Sequence, residues 1–135
     1  MAVDLEIVSP EKLLLSKPVD MVVLPAAEGE MGVMVNHAPM IVLLRGGVIR
    51  LYQGAAVTEQ LYVSGGFAEV TSTRVTVLAT EATPVAELKR NEGQSRLSAA
   101  EAEYSAADKN DVATLDTIQA KMQAARALIE AAPAA

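Results

Sequence analysis

Val63-Ser64-Gly65-Gly66-Phe67-Ala68-Glu69-Val70-Thr71-Ser72-Thr73-Arg74-Val75-Thr76-Val77-Leu78-Ala79 contains two short β-forming runs, 67–71 and 74–79, each entered through a turn. Gly65-Gly66 supplies residues free to take positive φ, and Ser72-Thr73 supplies side chains that bond their own backbone. Within 74–79, Thr76 stands between Val75 and Val77, the period of two that gives a strand one wet face and one dry face. The reversals leave no room for the helical crossover of a parallel pair, so antiparallel neighbours are expected.

The same grammar extends upstream. Runs at 4–8, 12–16, 19–24, 31–35, 40–44, 48–52 and 57–63 are separated by Ser9-Pro10, Lys17-Pro18, Glu28-Gly29, the stretch 36–39, Gly46-Gly47 and Gly54. Many short strands with Gly and Pro between them predict packed antiparallel sheets, a β-sandwich occupying 1–83. At Thr83-Pro84 the character changes: Thr83 suits an N-cap, Pro84 a first helical position, and the remainder is rich in alanine. A first helix is predicted from 84 to about 106, weakened at Gly93 by ~1 kcal/mol relative to alanine. The polar break Asp108-Lys109-Asn110-Asp111 then precedes a second helix with Val112, Leu115, Ile118, Met122, Ala125 and Ile129 at spacings of three and four. The fold class is therefore a sandwich followed by a C-terminal antiparallel two-helix hairpin over 84–135. Ala99, Ala102 and Ala106 are expected to face Ala120, Ala124 and Ala127 at the helix contact.

Composition narrows the chemistry. The formal net charge is −6, which opposes contact with phosphate backbones and excludes nucleic acid as a partner. The chain has no cysteine, hence no disulfide, thiolate ligand or thiol nucleophile, and its single histidine, His37, makes no metal site alone. No Gly-x-Ser-x-Gly elbow or phosphate-binding loop occurs, and Glu28 and Glu30, two apart at a turn, have no fixed separation for paired-carboxylate catalysis. His37 is read as a residue hydrogen-bonded within its own loop. Met21, Met31, Met34 and Met40 fit either core filling or an adaptable contact surface. Acids at Asp4 and Glu6 replace the bases of a targeting peptide, and apolar stretches such as 21–24 fall far short of the roughly 20 residues of a spanning helix. Any membrane contact is expected to be indirect. The chain is thus expected to be no enzyme and to carry no cofactor or metal. A free-standing sandwich that binds a small ligand is the alternative, although four aromatic residues in all give little platform for a sugar or base.

Residues 28–39, Glu-Gly-Glu-Met-Gly-Val-Met-Val-Asn-His-Ala-Pro, resemble the turn and His-Ala-Pro loop of the epsilon subunits of bacterial F-type ATP synthases. Val8-Ser9-Pro10-Glu11, Leu24-Pro25, Gly47-Val48-Ile49, Val63-Ser64-Gly65-Gly66-Phe67-Ala68-Glu69-Val70 and Val75-Thr76-Val77-Leu78-Ala79 follow in that family's order. The resemblance implies a ten-stranded sandwich and two helices, bound to the rotating gamma subunit and resting on the c-subunit ring at the cytoplasmic face of the inner membrane. It would couple proton-driven rotation to ATP synthesis without catalysing it. It implies a c-ring contact through Glu28, Gly29, Glu30, Met31 and Gly32, with Glu30 at a loop tip, and a gamma contact through His37, Ala38, Pro39 and Met40. Ala38, which precedes Pro39, is biased to an extended backbone that pre-shapes this loop. The hairpin would act as a brake on hydrolysis by reaching the alpha/beta head. Some family members bind ATP through an Ile/Leu-Asp-x-x-Arg-Ala motif. Here its Asp position is Ala86 and its Arg position Lys89, so no nucleotide site is carried over.

Overall fold

The computed structural model describes residues 2–133. Ten strands are present: β1 (Val3–Val8), β2 (Leu13–Val19), β3 (Met21–Ala26), β4 (Gly29–Val33), β5 (Met40–Leu44), β6 (Gly47–Gln53), β7 (Ala56–Val63), β8 (Gly66–Val70), β9 (Arg74–Leu78) and β10 (Ala82–Pro84). They run in the order β10-β7-β6-β3-β5-β8-β9-β1-β2, with β4 on β3. β3 meets β5 at the single pair Ala26 and Leu44, so the sheet folds into two layers about that junction. Period-two burial fills the space between them with Leu5 and Ile7 of β1, Leu24 of β3, Ile49 and Leu51 of β6, Leu61 and Val63 of β7, and Val75 and Val77 of β9. The core is aliphatic, as the scarcity of aromatics requires. One neighbour pair departs from the antiparallel rule: β1 lies parallel to β9, Leu5 opposite Val75. No tight turn joins these distant segments, so turn chemistry does not fix their direction.

Two helices follow, α1 (Arg90–Ala106) and α2 (Val112–Ala131). The expected helix start at Thr83-Pro84 is wrong. Thr83 and Pro84 end β10, paired with Tyr62 and Leu61, and Val85–Glu87 form a single 3-10 turn before α1. Pro84, which has no N–H to donate, is tolerated because β10 is an edge strand. The start of α2 follows the sequence: the Asp111 carboxylate accepts from the Thr114 N–H at 3.2 Å and from its hydroxyl at 2.7 Å.

The helix contact differs in register from the expected alanine faces. Ala99, Ala102, Ala106 and Ala120 are exposed, while Gly93 and Ala100 of α1 and Ile118, Ala124, Ala125 and Leu128 of α2 are buried. Gly93 marks a close approach, since a Cβ there would lie 2.7 Å from Ile129 Cγ1 and 2.9 Å from Leu128 Cδ2. The residue that weakens α1 as an isolated helix lets it pack against α2. The hairpin is tied to the sandwich by Arg96, whose guanidinium bonds Glu81 at 2.7 Å, and by contacts of α2 with β6 and β7.

Candidate functional site

The β3–β4 hairpin turns at Ala27 and Glu28, and Gly29 takes φ +140 immediately after it. Glu30 is therefore not at the tip, contrary to expectation. It sits within β4 opposite Pro25, because the strand begins at Gly29, and Glu28 occupies the turn. The Glu30 carboxylate reaches 2.8 Å from the Arg50 guanidinium of β6. That bond is the main cause raising the Arg50 pKa above its ordinary value. Half of the Glu30 side chain still meets solvent, so the pair is a surface ion pair of modest strength.

Between the β3–β4 hairpin and β5 runs an open groove lined by Glu28, Gly29, Glu30, Met31 and Met40. The fold thus brings most of one expected contact set beside the last residue of the other. Gly32 is not part of this lining, and a Cβ there would meet Met21 Sδ at 3.5 Å. His37, Ala38 and Pro39 lie beyond the groove, in the loop before β5. Asn36 adopts φ 69 and its N–H bonds the Ser72 carbonyl at 2.6 Å, which anchors the loop to the β8–β9 turn. His37 Nδ1 stands 2.8 Å from the Ala38 carbonyl and its backbone N–H bonds Met34, so the ring is engaged within its own loop. Ala38 and Pro39 are exposed.

β5 supplies what sequence reasoning missed. Val42 and Leu44 face the core, which turns Ile41 and Leu43 outward, 73% and 68% exposed. Leu43 lies opposite Phe67 of β8, itself exposed, and Phe67 lies opposite Leu78 of β9. An apolar strip therefore crosses three strands on the outer face. The signal was available: Met40-Ile41-Val42-Leu43-Leu44 has no polar residue at either parity, whereas a strand with a solvated face alternates.

Ala86 and Lys89 are brought to no common site with the interhelical groove. Ala86 is exposed in the 3-10 turn beside Gln60 and Leu61, and Lys89 is the uncapped residue before α1. In the groove beneath the hairpin the one arginine, Arg96, bonds both Glu81 and Glu92. Its charge is met by two carboxylates, which raise its pKa. Among the described residues no three His, Asp or Glu side chains converge as a metal cage would need, and no helix is long and apolar enough to cross a membrane.

Residues 2–85 match the family model described as the ATP synthase delta/epsilon chain, beta-sandwich domain. The chain is 62% identical over 128 residues to the ATP synthase epsilon chain of Granulibacter bethesdensis, covering 95% of each. It is 52% identical over 132 residues to that of Gluconacetobacter diazotrophicus, covering 98% of this chain and 94% of the relative. Among solved structures, a chain of the Euglena gracilis mitochondrial ATP synthase (OSCP/F1/c-ring) shares the fold with a TM-score of 0.77 at 24% identity, over 96% of this chain and 81% of that one. A chain of the central stalk/c-ring of the Tetrahymena thermophila enzyme aligns with a TM-score of 0.63 at 11% identity, over 98% of both.

Proposed function

The chain belongs to the ATP synthase epsilon chain family, and from that premise we propose that it is a non-catalytic subunit of the central stalk. In this reading it joins the gamma subunit to the c-subunit ring at the cytoplasmic face of a bacterial inner membrane and helps carry rotation between proton flow and ATP synthesis. The observation that carries it is the strip of Ile41, Leu43 and Phe67, large apolar side chains turned outward from a sandwich whose core is already filled. Apolar side chains gathered on an outer face in this way favour a surface that another protein covers. It continues the chain from His37, Ala38, Pro39 and Met40, so the pre-shaped loop and the strip form one gamma-facing surface. Glu28, Gly29, Glu30, Met31 and Gly32, on the neighbouring hairpin, form the ring-facing contact, with Glu28 rather than Glu30 at the tip.

Regulation of hydrolysis falls to the hairpin. α2 carries only Lys121 and Arg126 as bases, so an extended helix offers little charge to an acidic catalytic head, and its brake is weak. Ala86 and Lys89, separate from a neutralised Arg96, give no nucleotide grip.

Leu43→Asp, in membranes carrying the whole enzyme, is the decisive variant. The wild-type chain should be retained with gamma and c subunits in a pull-down from solubilised membranes, and Leu43→Asp should lose gamma at least tenfold while its circular dichroism is unchanged. Undiminished recovery of gamma would remove the strip from the interface.

A further inference from the structure

Tyr62 is 1% exposed, yet it is not part of the sandwich core. Its neighbours Leu61 and Val63 point inward, so the alternation of β7 turns Tyr62 to the outer face, where the hairpin covers it. Its hydroxyl donates to the Ala124 carbonyl of α2 at 2.5 Å. The adjacent residue, Gln123, grips the β5–β6 connection: Gly46 N–H donates to Gln123 Oε1 at 2.9 Å, and Gln123 Nε2 donates to the Gly46 carbonyl at 2.7 Å. Neither Gly46 group takes part in a strand pairing, so one side-chain amide satisfies both. Close approach is built in at this point, because a Cβ on Gly46 would lie 2.5 Å from Ala124 Cα, a backbone atom that yields only if α2 moves. Larger apolar groups of α2, Leu128 and Ile129, pack instead at Gly93 of α1.

We propose that Gln123 and Tyr62 form a latch that holds the hairpin on the sandwich, with Gly46 as its seat, and that opening this latch is the step by which the hairpin leaves. Gln123 is the directional element, since its amide presents one acceptor and one donor to a single residue's backbone. A carboxylate in its place keeps the acceptor but sets a second negative oxygen against the Gly46 carbonyl. Only the consequence for hydrolysis rests on the stalk reading; docking is a property of the chain itself.

The test uses the full chain, which has no tryptophan to mask tyrosine emission. Acrylamide quenching is measured for the wild-type latch, Gln123→Glu and Gly46→Ala, all in a Tyr52→Phe, Tyr104→Phe background in which Tyr62 is the one remaining tyrosine. Tyr62 should be shielded in the wild type and quenched several-fold more strongly in both variants, with circular dichroism unchanged. A Tyr62 that stays shielded in folded Gln123→Glu overturns the latch, as does a Tyr62 already accessible in the wild type. Should the added methyl of Gly46→Ala unfold the chain, Gln123→Glu, which adds no bulk, decides the matter. In the assembled synthase an opened latch should change the rate of ATP hydrolysis. If Tyr62 is released and hydrolysis is unaltered, the latch stands and the regulatory role of the hairpin falls.

Discussion

In the sandwich, Leu5, Leu24, Ile49 and Leu51 are wholly enclosed by strands distant in sequence, whereas the hairpin buries Gly93, Ala100, Ala124 and Ala125, with Ile118 and Leu128 as the large buried groups among its described residues. Burial stabilises by about 25 cal/mol per Å² of apolar surface, so the leucine-lined interior carries the stability and the alanine-lined one little more than shape. Small residues gain the hairpin close contacts and leave their strength to a few polar bonds. A core-forming half is thereby joined to a half whose position is easily changed.

Damage to the sandwich should be the most costly. Leu51→Ala, at a fully buried site, should lower stability by about 2–5 kcal/mol in urea unfolding, with loss of strand and helix signals together. A smaller loss would mean that the sandwich is as loosely packed as the hairpin.

Alkaline pH should reach the latch through Tyr62. Burial, with the nearby Glu81 charge, pushes the Tyr62 pKa up to about 12, above the usual phenol near 10. A folded-state pKa above the unfolded one means that the neutral phenol contributes its full stability below about pH 10 and loses it progressively toward pH 12. The wild-type hairpin should therefore come away over that interval, as followed by energy transfer between dyes placed on the sandwich and on α2, and Tyr62→Phe should show a clearly smaller dependence. An identical pH profile for both proteins would place the titration elsewhere.

Gly93→Ala separates helix propensity from packing. The new methyl gains ~1 kcal/mol in an isolated helix but meets Ile129 and Leu128 inside contact distance, and the crowding should win by ~1 kcal/mol, read as a lower melting point of the helical signal. A raised melting point would show that the helix crossing opens freely. The smallest effect should follow truncation after Leu88, which keeps β10 on β7: the remaining sandwich should unfold at nearly the wild-type midpoint. Collapse of that fragment would make the two halves one core.

Strands were legible wherever alternation and glycine spoke together, as in 67–71 and 74–79. Their ends were less so. Thr83-Pro84 has the same local preferences whether it opens a helix or closes an edge strand, and the decision lies in pairing with Leu61 and Tyr62, which no local window contains. Glu30 was misplaced for a similar reason: its neighbours are turn-formers, but the register with Pro25 draws it into β4 and its partner Arg50 is on another strand. At the candidate site the loop residues could be named from the His-Ala-Pro stretch, while Ile41, Leu43 and Phe67 become a surface only once β5 and β8 are set side by side. The latch could not be foreseen, because Gln123 resembles any exposed helical glutamine until Gly46 is brought beneath it.

The parallel pairing of β1 with β9 has a consequence for the order in which the protein is made. β1 leaves the ribosome first but borders β9, whose residues Arg74–Leu78 emerge only after most of the sandwich has been synthesised. Until then β1 can pair with β2 alone, as an isolated two-stranded ribbon of marginal stability. Closing so long a loop carries an entropic cost that delays the final layer, so the folding nucleus should form among β3, β4, β6 and β7, which pair with one another over short stretches of chain, before the first strand is recruited. A nascent chain stalled before Arg74 would lack the β9 neighbour of Leu5 and Ile7, leaving apolar surface open to aggregation.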